Sequence, residues 1–318
     1  MELVSIIGGS GFIGTRLARI FNESNIDFQI LDKSKSVAFP DKWRYADVTK
    51  LETLESALSG STVIINLAAE HKDNVSPVSL YYDVNVIGAE NVCVAAERLN
   101  IKTIIFTSSV AVYGFVEEET TENGAYNPFN DYGKSKLDAE KVYDVWQRKN
   151  LEYKLVIIRP TVVFGENNRG NVYNLFKQIA TGRFLMIGSG NNQKSMAYVD
   201  NVAAFLKHTM LLPIGRHVFN YVDKPDFTMN ELTGVICNAL GRNKNNIKIP
   251  LVLGLVGGRF LDFLSKVTGK EFPISYIRVK KFCARTQFKS IYISETNFTA
   301  PVTLEQGIKN TVRQEFTK

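Results

Sequence analysis

Short apolar runs alternate with longer stretches of helical periodicity through the first half of the chain. The runs predict strands at residues 3–7, 28–31, 62–66, 103–107 and 154–159. Between them, apolar positions recur every three or four residues and predict helices at 12–22, 51–58, 78–99 and 132–148. This alternation predicts an α/β fold with a doubly wound parallel sheet of the Rossmann type.

The pattern changes after Pro160, where predicted helices become shorter and Gly/Asn-rich stretches at 165–171 and 188–192 indicate loops over a cleft. An apolar run at 196–200 precedes a helical pattern that reaches Leu212, which predicts a further crossover linked to the sheet. We therefore expect a Rossmann domain over residues 1–165, with later segments returning to its sheet, and a smaller C-terminal lobe over 166–318.

With 318 residues and 45% apolar side chains, the chain can bury a large core. Cys93, Cys237 and Cys283 lie far apart and form no Cys-x-x-Cys pair, so neither a disulfide framework nor a metal site is predicted. The N-terminus opens on a predicted strand without a basic leader. No apolar run approaches the roughly 20 residues of a membrane-spanning helix, so we expect a cytoplasmic protein.

The net charge of +6 is unevenly distributed, since residues 242–318 carry 14 Lys/Arg and 5 Asp/Glu. These basic residues are not interleaved with aromatic ones in a nucleic-acid recognition motif, so no nucleic-acid partner is expected. Apolar runs at 249–256 and 260–264 lie among basic residues, which suits peripheral contact with an anionic membrane at the inner face of the cell. The basic residues near these two runs are Lys248, Arg259, Lys266 and Lys270. The alternative is a helix whose apolar face lies in the core.

Three glycines, Gly8, Gly11 and Gly14, directly follow the first predicted strand and open the first predicted helix. In that context, small residues let the backbone approach a pyrophosphate and place it at the positive helix N-terminus. The glycine spacing therefore predicts a dinucleotide site in the domain at 1–165, which leaves the lobe at 166–318 mainly to bind substrate.

Two acidic residues refine the cofactor prediction. Asp32 ends the second strand, where a carboxylate can accept hydrogen bonds from both ribose hydroxyls, which favours NAD over NADP. Lys33 and Lys35 follow closely, so a 2′-phosphate remains the alternative. Asp47 follows a further predicted strand and could bond the adenine amino group, or belong to a helix N-cap.

Tyr132 and Lys136 stand one helical turn apart, so their side chains project from the same face. A nearby ammonium stabilises phenolate and lowers a tyrosine pKa toward the working range of a general base. Taken alone, this spacing also describes an ordinary surface pair. Ahead of it, Thr107, Ser108 and Ser109 end a predicted strand at the carboxyl edge of the sheet, where a hydroxyl can orient a substrate oxygen.

Together with the motifs at 66–69, 107–114 and 159–165, these residues resemble the extended short-chain dehydrogenase/reductase family. The resemblance covers essentially the whole chain. It implies that Tyr132 is the acid/base, that Lys136 lowers its pKa and binds ribose, and that Ser109 is the hydroxyl beside the reacting oxygen, with Ser108 as the alternative. Dehydratases of the family carry Asp-Glu where this chain has Val110 and Ala111, which disfavours dehydration.

The resemblance also implies NAD as cofactor and a set of contacts to it. The expected set comprises Gly8, Ser10, Gly11, Phe12, Ile13, Gly14, Asp32, Lys33, Asp47, Val48, Leu67, Ala68, Ala69, Thr107, Tyr132, Lys136 and Pro160. Homodimers are common in the family, and the helices predicted at 78–99 and 132–148 carry enough apolar surface for an interface, or for the monomer core.

Longer stretches at 69–73, 80–86, 168–174, 194–200 and 278–283 resemble the bacterial N-acetylglucosaminyl-diphospho-undecaprenol 4-epimerases of surface-polysaccharide (O-antigen) synthesis. This implies C4 epimerisation through a 4-keto sugar, with tightly held NAD regenerated in each turnover. The alternatives are a UDP-N-acetylglucosamine 4-epimerase, an NAD(P)H-dependent 4-keto-sugar reductase and a non-catalytic NAD-binding regulatory protein.

Several residues bear on whether the diphosphate-linked amino sugar is attached to a polyprenol or to UDP. Soluble UDP-sugar epimerases usually carry Asn where this chain has Val162, which favours the polyprenyl substrate. Arg169 and Asn171 could contact the diphosphate instead, or form an ordinary turn. His71 and Lys72 could contact sugar or phosphate, or lie on the surface.

Overall fold

The computed structural model describes residues 2–72, 75–243, 247–269 and 275–317, so Asp73 and Lys270 lie outside the described residues. The described strands are β1 Val4–Ile7, β2 Phe28–Asp32, β3 Trp43–Tyr45, β4 Val63–Asn66, β5 Thr103–Thr107, β6 Lys154–Pro160, β7 Val162–Phe164, β8 Met186–Ile187, β9 Gln193–Tyr198, β10 Gly215–Tyr221, β11 Asp223–Thr228 and β12 Lys248–Ile249. The described α-helices are α1 Phe12–Glu23, α2 Leu51–Leu58, α3 Ser79–Tyr82, α4 Gly88–Arg98, α5 Asp131–Arg148, α6 Asn171–Ala180, α7 Val199–Thr209, α8 Met229–Ala239, α9 Leu251–Thr268, α10 Tyr276–Cys283 and α11 Leu304–Phe316.

Seven of the described strands form one sheet in the order β10-β6-β5-β4-β1-β2-β3, and every neighbouring pair is parallel. β1 and β4 are buried along their whole length, as expected of Val/Ile-rich strands covered on both faces. The strand order reverses between β1 and β4, where such sheets bind ligands beyond their carboxyl ends. The predicted Rossmann-type fold is confirmed.

A hydrophobic core lies on each face of this sheet. On one face, Val92 of α4 and Tyr143 and Trp146 of α5 pack over the strands. On the other, Leu17 of α1 and Phe205 of α7 do so. These helices hold the strand ends, and therefore the loops that follow them, in fixed positions.

A second group of elements is built largely from residues after Pro160. β7 pairs in parallel with β9, and β9 pairs antiparallel with β11, around a core that includes side chains of α6, α8 and α11. β8 pairs with β12, which precedes α9. Within the described helices, none is long and apolar enough to cross a bilayer.

Two predicted elements differ from the structure. The run at 196–200 and the helical pattern after it were expected to form a crossover linked to the large sheet; β9 belongs to the three-stranded sheet instead, while α7 packs on the large sheet and β10 joins it. The single helix expected at 78–99 consists of α3, a π-helical segment Asp83–Ile87 and α4. Both differences depend on long-range pairing or a local change of helical period, which apolar spacing does not reveal.

Candidate functional site

A glycine-rich loop joins β1 to α1 at the carboxyl edge of the large sheet. Gly8 has a φ of +75°, and a Cβ on it would lie 2.7 Å from the backbone nitrogen of Ala68. A Cβ on Gly14 would lie 2.5 Å from the Cα of Gly9. A Cβ on Gly11 would approach the Gly8 carbonyl oxygen at 3.2 Å and, apart from its own chain neighbours, no other described atom within 4 Å. Gly11 is the N-cap of α1, and its bare backbone fits the close approach of a pyrophosphate.

Asp32 lies beside this loop at the end of β2. Its Oδ2 accepts a hydrogen bond from the Ser10 backbone N–H at 3.1 Å, and its Oδ1 accepts one from Ser34 N–H at 2.9 Å. The carboxylate is therefore held next to the helix N-terminus, where a dinucleotide ribose lies in this type of fold. Lys33 and Lys35 are exposed on the surface that follows.

Asp47 lies between β3 and α2, and its Oδ1 accepts from the N–H of Thr49 at 3.0 Å and from its hydroxyl at 2.8 Å. Burial alone would raise the pKa of Asp47, but these bonds and the nearby Lys33 and Lys50 lower it. The N-cap of α2 is Lys50, so Asp47 forms a turn ahead of the helix. The next residue, Val48, is buried.

The segment that follows β4 lies against the glycine loop. Leu67 N–H donates to the Ile7 carbonyl at 2.9 Å, which places the Leu67, Ala68 and Ala69 segment against Gly8. Pro160 ends β6, one strand beyond β5. Phe12 and Ile13, at the start of α1, pack against the core formed with α6, α8 and α11.

The hydroxyl, phenol and ammonium predicted from the sequence meet where β5 ends and α5 begins. The Ser109 side chain interacts with the Tyr132 phenol. Burial raises the pKa of Tyr132, and the interaction with Ser109 opposes that rise. Asn130 begins the helix by accepting a hydrogen bond from Gly133 N–H at 2.9 Å. This bond caps the N-terminus of α5, directly ahead of the turn that carries Tyr132.

Lys136 is 2% exposed, and its Nζ donates to the Thr107 carbonyl at 2.7 Å. Nζ also lies 4.5 Å from the centroid of the Phe106 ring. Burial lowers the pKa of Lys136 to about 7, while the carboxylate of Glu140 opposes that fall. The Thr107 hydroxyl is buried and has no hydrogen-bond partner among the residues that the structure describes. It is a polar group that a cofactor ribose could satisfy.

Ser108 follows Thr107 and belongs to a separate hydrogen-bond network. It is buried, and its hydroxyl donates to Glu140 at 2.5 Å. Glu140 in turn accepts two hydrogen bonds from the fully buried Arg159, at 2.9 and 2.6 Å. Tyr113 and Tyr126 complete the network around the guanidinium. Ser108 is thus engaged within the protein, which leaves Ser109 as the hydroxyl placed beside Tyr132.

Asn85 is a site residue to which the sequence assigned no role. It is buried in the π-helical segment. Its amide oxygen accepts a hydrogen bond from the Glu70 N–H at 3.0 Å, and its amide nitrogen donates one to the Glu70 carbonyl at 3.1 Å. Its amide also donates to the Ser135 hydroxyl at 2.9 Å. Asn85 therefore joins the segment after β4 to the helix that carries Tyr132. The one available signal was its place in the motif at 80–86.

The candidate substrate residues are spread over several loops. His71 and Lys72 are exposed after β4, and Val162 is half-exposed on β7. Asn171 is the first residue of α6. Arg169 forms an ion pair with Glu315 at 2.8 Å, near the end of α11. A diphosphate that used Arg169 would therefore have to compete with this carboxylate.

Relatives of known activity share the full length of the chain. It is 50% identical over 98% of its length, and 95% of the relative, to the N-acetyl-alpha-D-glucosaminyl-diphospho-ditrans,octacis-undecaprenol 4-epimerase of Escherichia coli O157:H7. It is 26% identical over 98% of its length, and 94% of the relative, to the UDP-glucose 4-epimerase of Vibrio cholerae.

Solved structures match the fold. The UDP-N-acetylglucosamine 4-epimerase of Bacillus cereus superposes with a TM-score of 0.78 at 18% identity, covering 100% of this chain and 98% of that one. The UDP-glucose 4-epimerase of Thermus thermophilus, solved with NAD, gives a TM-score of 0.75 at 20% identity and covers 98% of both chains. The model of the NAD dependent epimerase/dehydratase family matches residues 4–220, and the chain belongs to this family of NAD-dependent enzymes.

Proposed function

We propose that the protein interconverts N-acetylglucosamine and N-acetylgalactosamine by epimerisation at C4 while the sugar is attached to diphospho-undecaprenol. The observation that carries this proposal is the 50% identity, over nearly the whole chain, with an enzyme named for that reaction. The placement of half-buried Ser109 and Tyr132 with buried Lys136 where β5 ends and α5 begins supports it, since these groups supply proton transfer at a sugar oxygen.

We further propose these cofactor contacts: Gly8, Ser10, Gly11, Phe12, Ile13 and Gly14 around the pyrophosphate; Asp32 and Lys33 at the ribose; Asp47 and Val48 at the adenine; and Leu67, Ala68, Ala69, Thr107, Tyr132, Lys136 and Pro160 toward the nicotinamide end. Bound NAD supplies reversible hydride transfer at C4. This assignment makes residues 1–165 the NAD-binding domain and residues 166–318 mainly the substrate-binding lobe.

In this mechanism Tyr132 takes the proton of the C4 hydroxyl and returns one to the same oxygen after the sugar has presented its other face. Ser109 donates a hydrogen bond to that oxygen. An ammonium at Lys136, held by the Thr107 carbonyl, favours the phenolate form of Tyr132. Positions 110 and 111 carry Val and Ala, so no acid/base pair follows Ser109 to expel water.

Purified protein assayed with both substrates tests this function. We expect turnover of N-acetylglucosaminyl-diphospho-undecaprenol without added NADH, and a fall in kcat of roughly 10²–10⁴-fold in Tyr132→Phe. Tyr153→Phe is the matched control, because Tyr153 precedes β6 at the opposite edge of the sheet.

Turnover of UDP-N-acetylglucosamine alone would favour the second candidate, which the similarity to a UDP-sugar epimerase supports. A requirement for stoichiometric NADH would instead identify a reductase.

We also propose that the protein acts as a homodimer at the cytoplasmic face of the membrane, in surface-polysaccharide synthesis. Val145 on α5 and Ile87 just ahead of α4 are 60% and 44% exposed on helices whose opposite faces enter the core. Light scattering after size exclusion should give the mass of a dimer, and Val145→Glu should shift it toward the monomer because a buried charge opposes association.

A further inference from the structure

α9 is an 18-residue helix with an unusual exposure pattern. Along its length, all of which is described, Gly258 is the single buried residue. Val252, Leu253, Val256, Phe260, Phe263 and Val267 are each 60–70% exposed. At 3.6 residues per turn, these six side chains fall within an arc of roughly 100° on the helix. They form one continuous stripe, which we call the α9 stripe.

The opposite side of α9 makes the contacts with the rest of the protein. A Cβ on Gly254 would lie 2.5 Å from Ile187, and a Cβ on Gly258 would lie 2.8 Å from the backbone nitrogen of Tyr276. Asp262 continues this row and accepts a hydrogen bond from Tyr276 N–H at 3.0 Å. The small residues bring α9 close to α10 and β8, so the apolar stripe is directed away from the protein.

The charged residues that border the stripe are basic. Arg259 and Lys266 lie along one edge of it, and Arg259 is stacked 4.7 Å from the centroid of the Tyr276 ring. Lys248 precedes the helix, with its Nζ bonded to the Ser189 carbonyl at 2.9 Å. Asp262 is the one acidic residue of α9, and it belongs to the row that contacts α10. The exposed face therefore combines apolar side chains with cations.

We propose that α9 lies in the plane of an anionic lipid bilayer, with its stripe inserted at the boundary between headgroups and acyl chains and with Arg259 and Lys266 at the lipid phosphates. An apolar stripe with Phe residues and a basic border is the pattern of an interfacial helix. A second copy of the chain is disfavoured as the occupant, because an antiparallel two-fold contact through this stripe would bring two cationic edges together.

This inference deepens the proposed function and rests on it for the identity of the substrate, because a polyprenyl diphosphate sugar is presented at a membrane surface. The binding of vesicles does not itself depend on catalysis. The two proposals can therefore fail separately: a protein that binds vesicles but turns over only UDP-linked sugar would refute the function, and an active protein that binds no vesicles would refute the docking surface.

Co-sedimentation of the full-length protein with vesicles provides the test. We expect binding to vesicles of phosphatidylcholine and phosphatidylglycerol, and much weaker binding to phosphatidylcholine alone. The triple variant Val256→Ser, Phe260→Ser, Phe263→Ser should bind the anionic vesicles at least about tenfold more weakly. Arg259→Gln with Lys266→Gln should lower binding by roughly thirtyfold at low salt, since each cation near the surface contributes.

The matched control replaces three exposed apolar residues outside the stripe. Val37→Ser, Leu151→Ser and Leu211→Ser remove side chains that are 98%, 94% and 81% exposed and lie apart from one another. This variant should bind vesicles as the wild type does. Equal binding by the stripe variant and this control overturns the proposal. The proposal is also overturned if the wild type forms an oligomer that the stripe substitutions dissociate, because a second copy would then cover the stripe.

Discussion

The glycines of the nucleotide loop differ in why the protein needs them. Gly14 has no room for a Cβ, because the Cα of Gly9 would lie 2.5 Å away. Gly11 has an ordinary φ of −74° and one approach, at 3.2 Å, to the Gly8 carbonyl. The fold therefore requires glycine at position 14, whereas glycine at position 11 leaves the backbone open to a ligand.

This difference predicts opposite behaviour for two alanine variants. Gly14→Ala should lower the free energy of unfolding of the cofactor-free protein by about 1–3 kcal/mol, because the added methyl overpacks the loop. Gly11→Ala should keep wild-type stability without NAD and should lose much of the stabilisation that saturating NAD gives, which for ligand at a hundred times Kd is about 2.7 kcal/mol. Urea unfolding with and without NAD measures both. Equal loss of stability in the two cofactor-free variants would contradict this explanation.

The burial of Lys136 lowers the free energy of unfolding by an amount that depends on pH. Its pKa is about 7 in the folded protein, below its ordinary value of 10.5, because burial disfavours the ammonium. Between these two pKa values the unfolded chain binds more protons than the folded one, so the contribution of Lys136 to stability rises with pH over that window. Below the pKa that Lys136 has in the folded protein, the full unfavourable free energy of burying its ammonium opposes folding.

Lys136→Met should therefore be more stable than the wild type at pH 6.5, while it loses activity. Its advantage should shrink as the pH rises from about 7 toward 10, by up to about 1.4 kcal/mol per pH unit. Unfolding titrations in denaturant at several pH values, without NAD, measure the difference. Lys134→Met, on the exposed side of α5, should show no such trend. A constant difference between Lys136→Met and wild type would refute the argument.

At the scale of elements, five of the seven described strands of the large sheet were predictable because each is largely a short apolar run, whereas β10, which mixes polar and apolar residues, was not predicted. β5 matches its predicted bounds, and β1, β2, β4 and β6 differ by one residue at an end. The π-helical segment was not predictable, since a local change in helical period alters the pattern of apolar positions very little. Yet this segment contains Asn85, whose amide reaches both the β4 loop and α5.

Asn85→Ala should show how much the segment contributes. It removes three hydrogen bonds and leaves the buried Ser135 hydroxyl without that donor, so we expect a loss of about 2–3 kcal/mol in unfolding free energy and a fall in kcat. Asn91→Ala on the following helix removes one bond, to the Val48 carbonyl, and should cost about 1 kcal/mol with kcat unchanged. Denaturant unfolding and steady-state kinetics on the same samples provide the comparison. If both variants lost the same stability and kept full activity, Asn85 would have no positioning role.

At the scale of the whole molecule, the Tyr132 and Lys136 pair was predictable because its members are close in sequence. Contacts between distant segments were not. Nothing in the spacing indicates that Arg169 pairs with Glu315, and the sequence left open whether the apolar runs at 249–256 and 260–264 lie on the surface or in the core. Both depend on which surfaces the tertiary fold brings together.

One such long-range contact joins the two parts of the molecule. Arg16 of α1 donates to Glu166 Oε2 at 2.9 Å, and Tyr198 of β9 donates to Glu166 Oε1 at 2.9 Å. The side chains of Arg16 and Glu166 are 15% and 5% exposed. Since α7 and β10 also return to the large sheet, the two parts share a core as well as this pair. We therefore expect them to unfold together.

Arg16→Met should lower the free energy of unfolding by about 3 kcal/mol, because it leaves the buried carboxylate of Glu166 without its cation. Calorimetry should show a lower Tm with a single transition in both wild type and variant. Lys42→Met is the control, because Lys42 and Asp27 form a surface pair that should contribute at most about 1 kcal/mol. Two resolved transitions in the variant would mean that Arg16 alone couples the parts, and two in the wild type would mean that they fold independently. A cost no larger than that of Lys42→Met would show that the buried pair does not stabilise their junction.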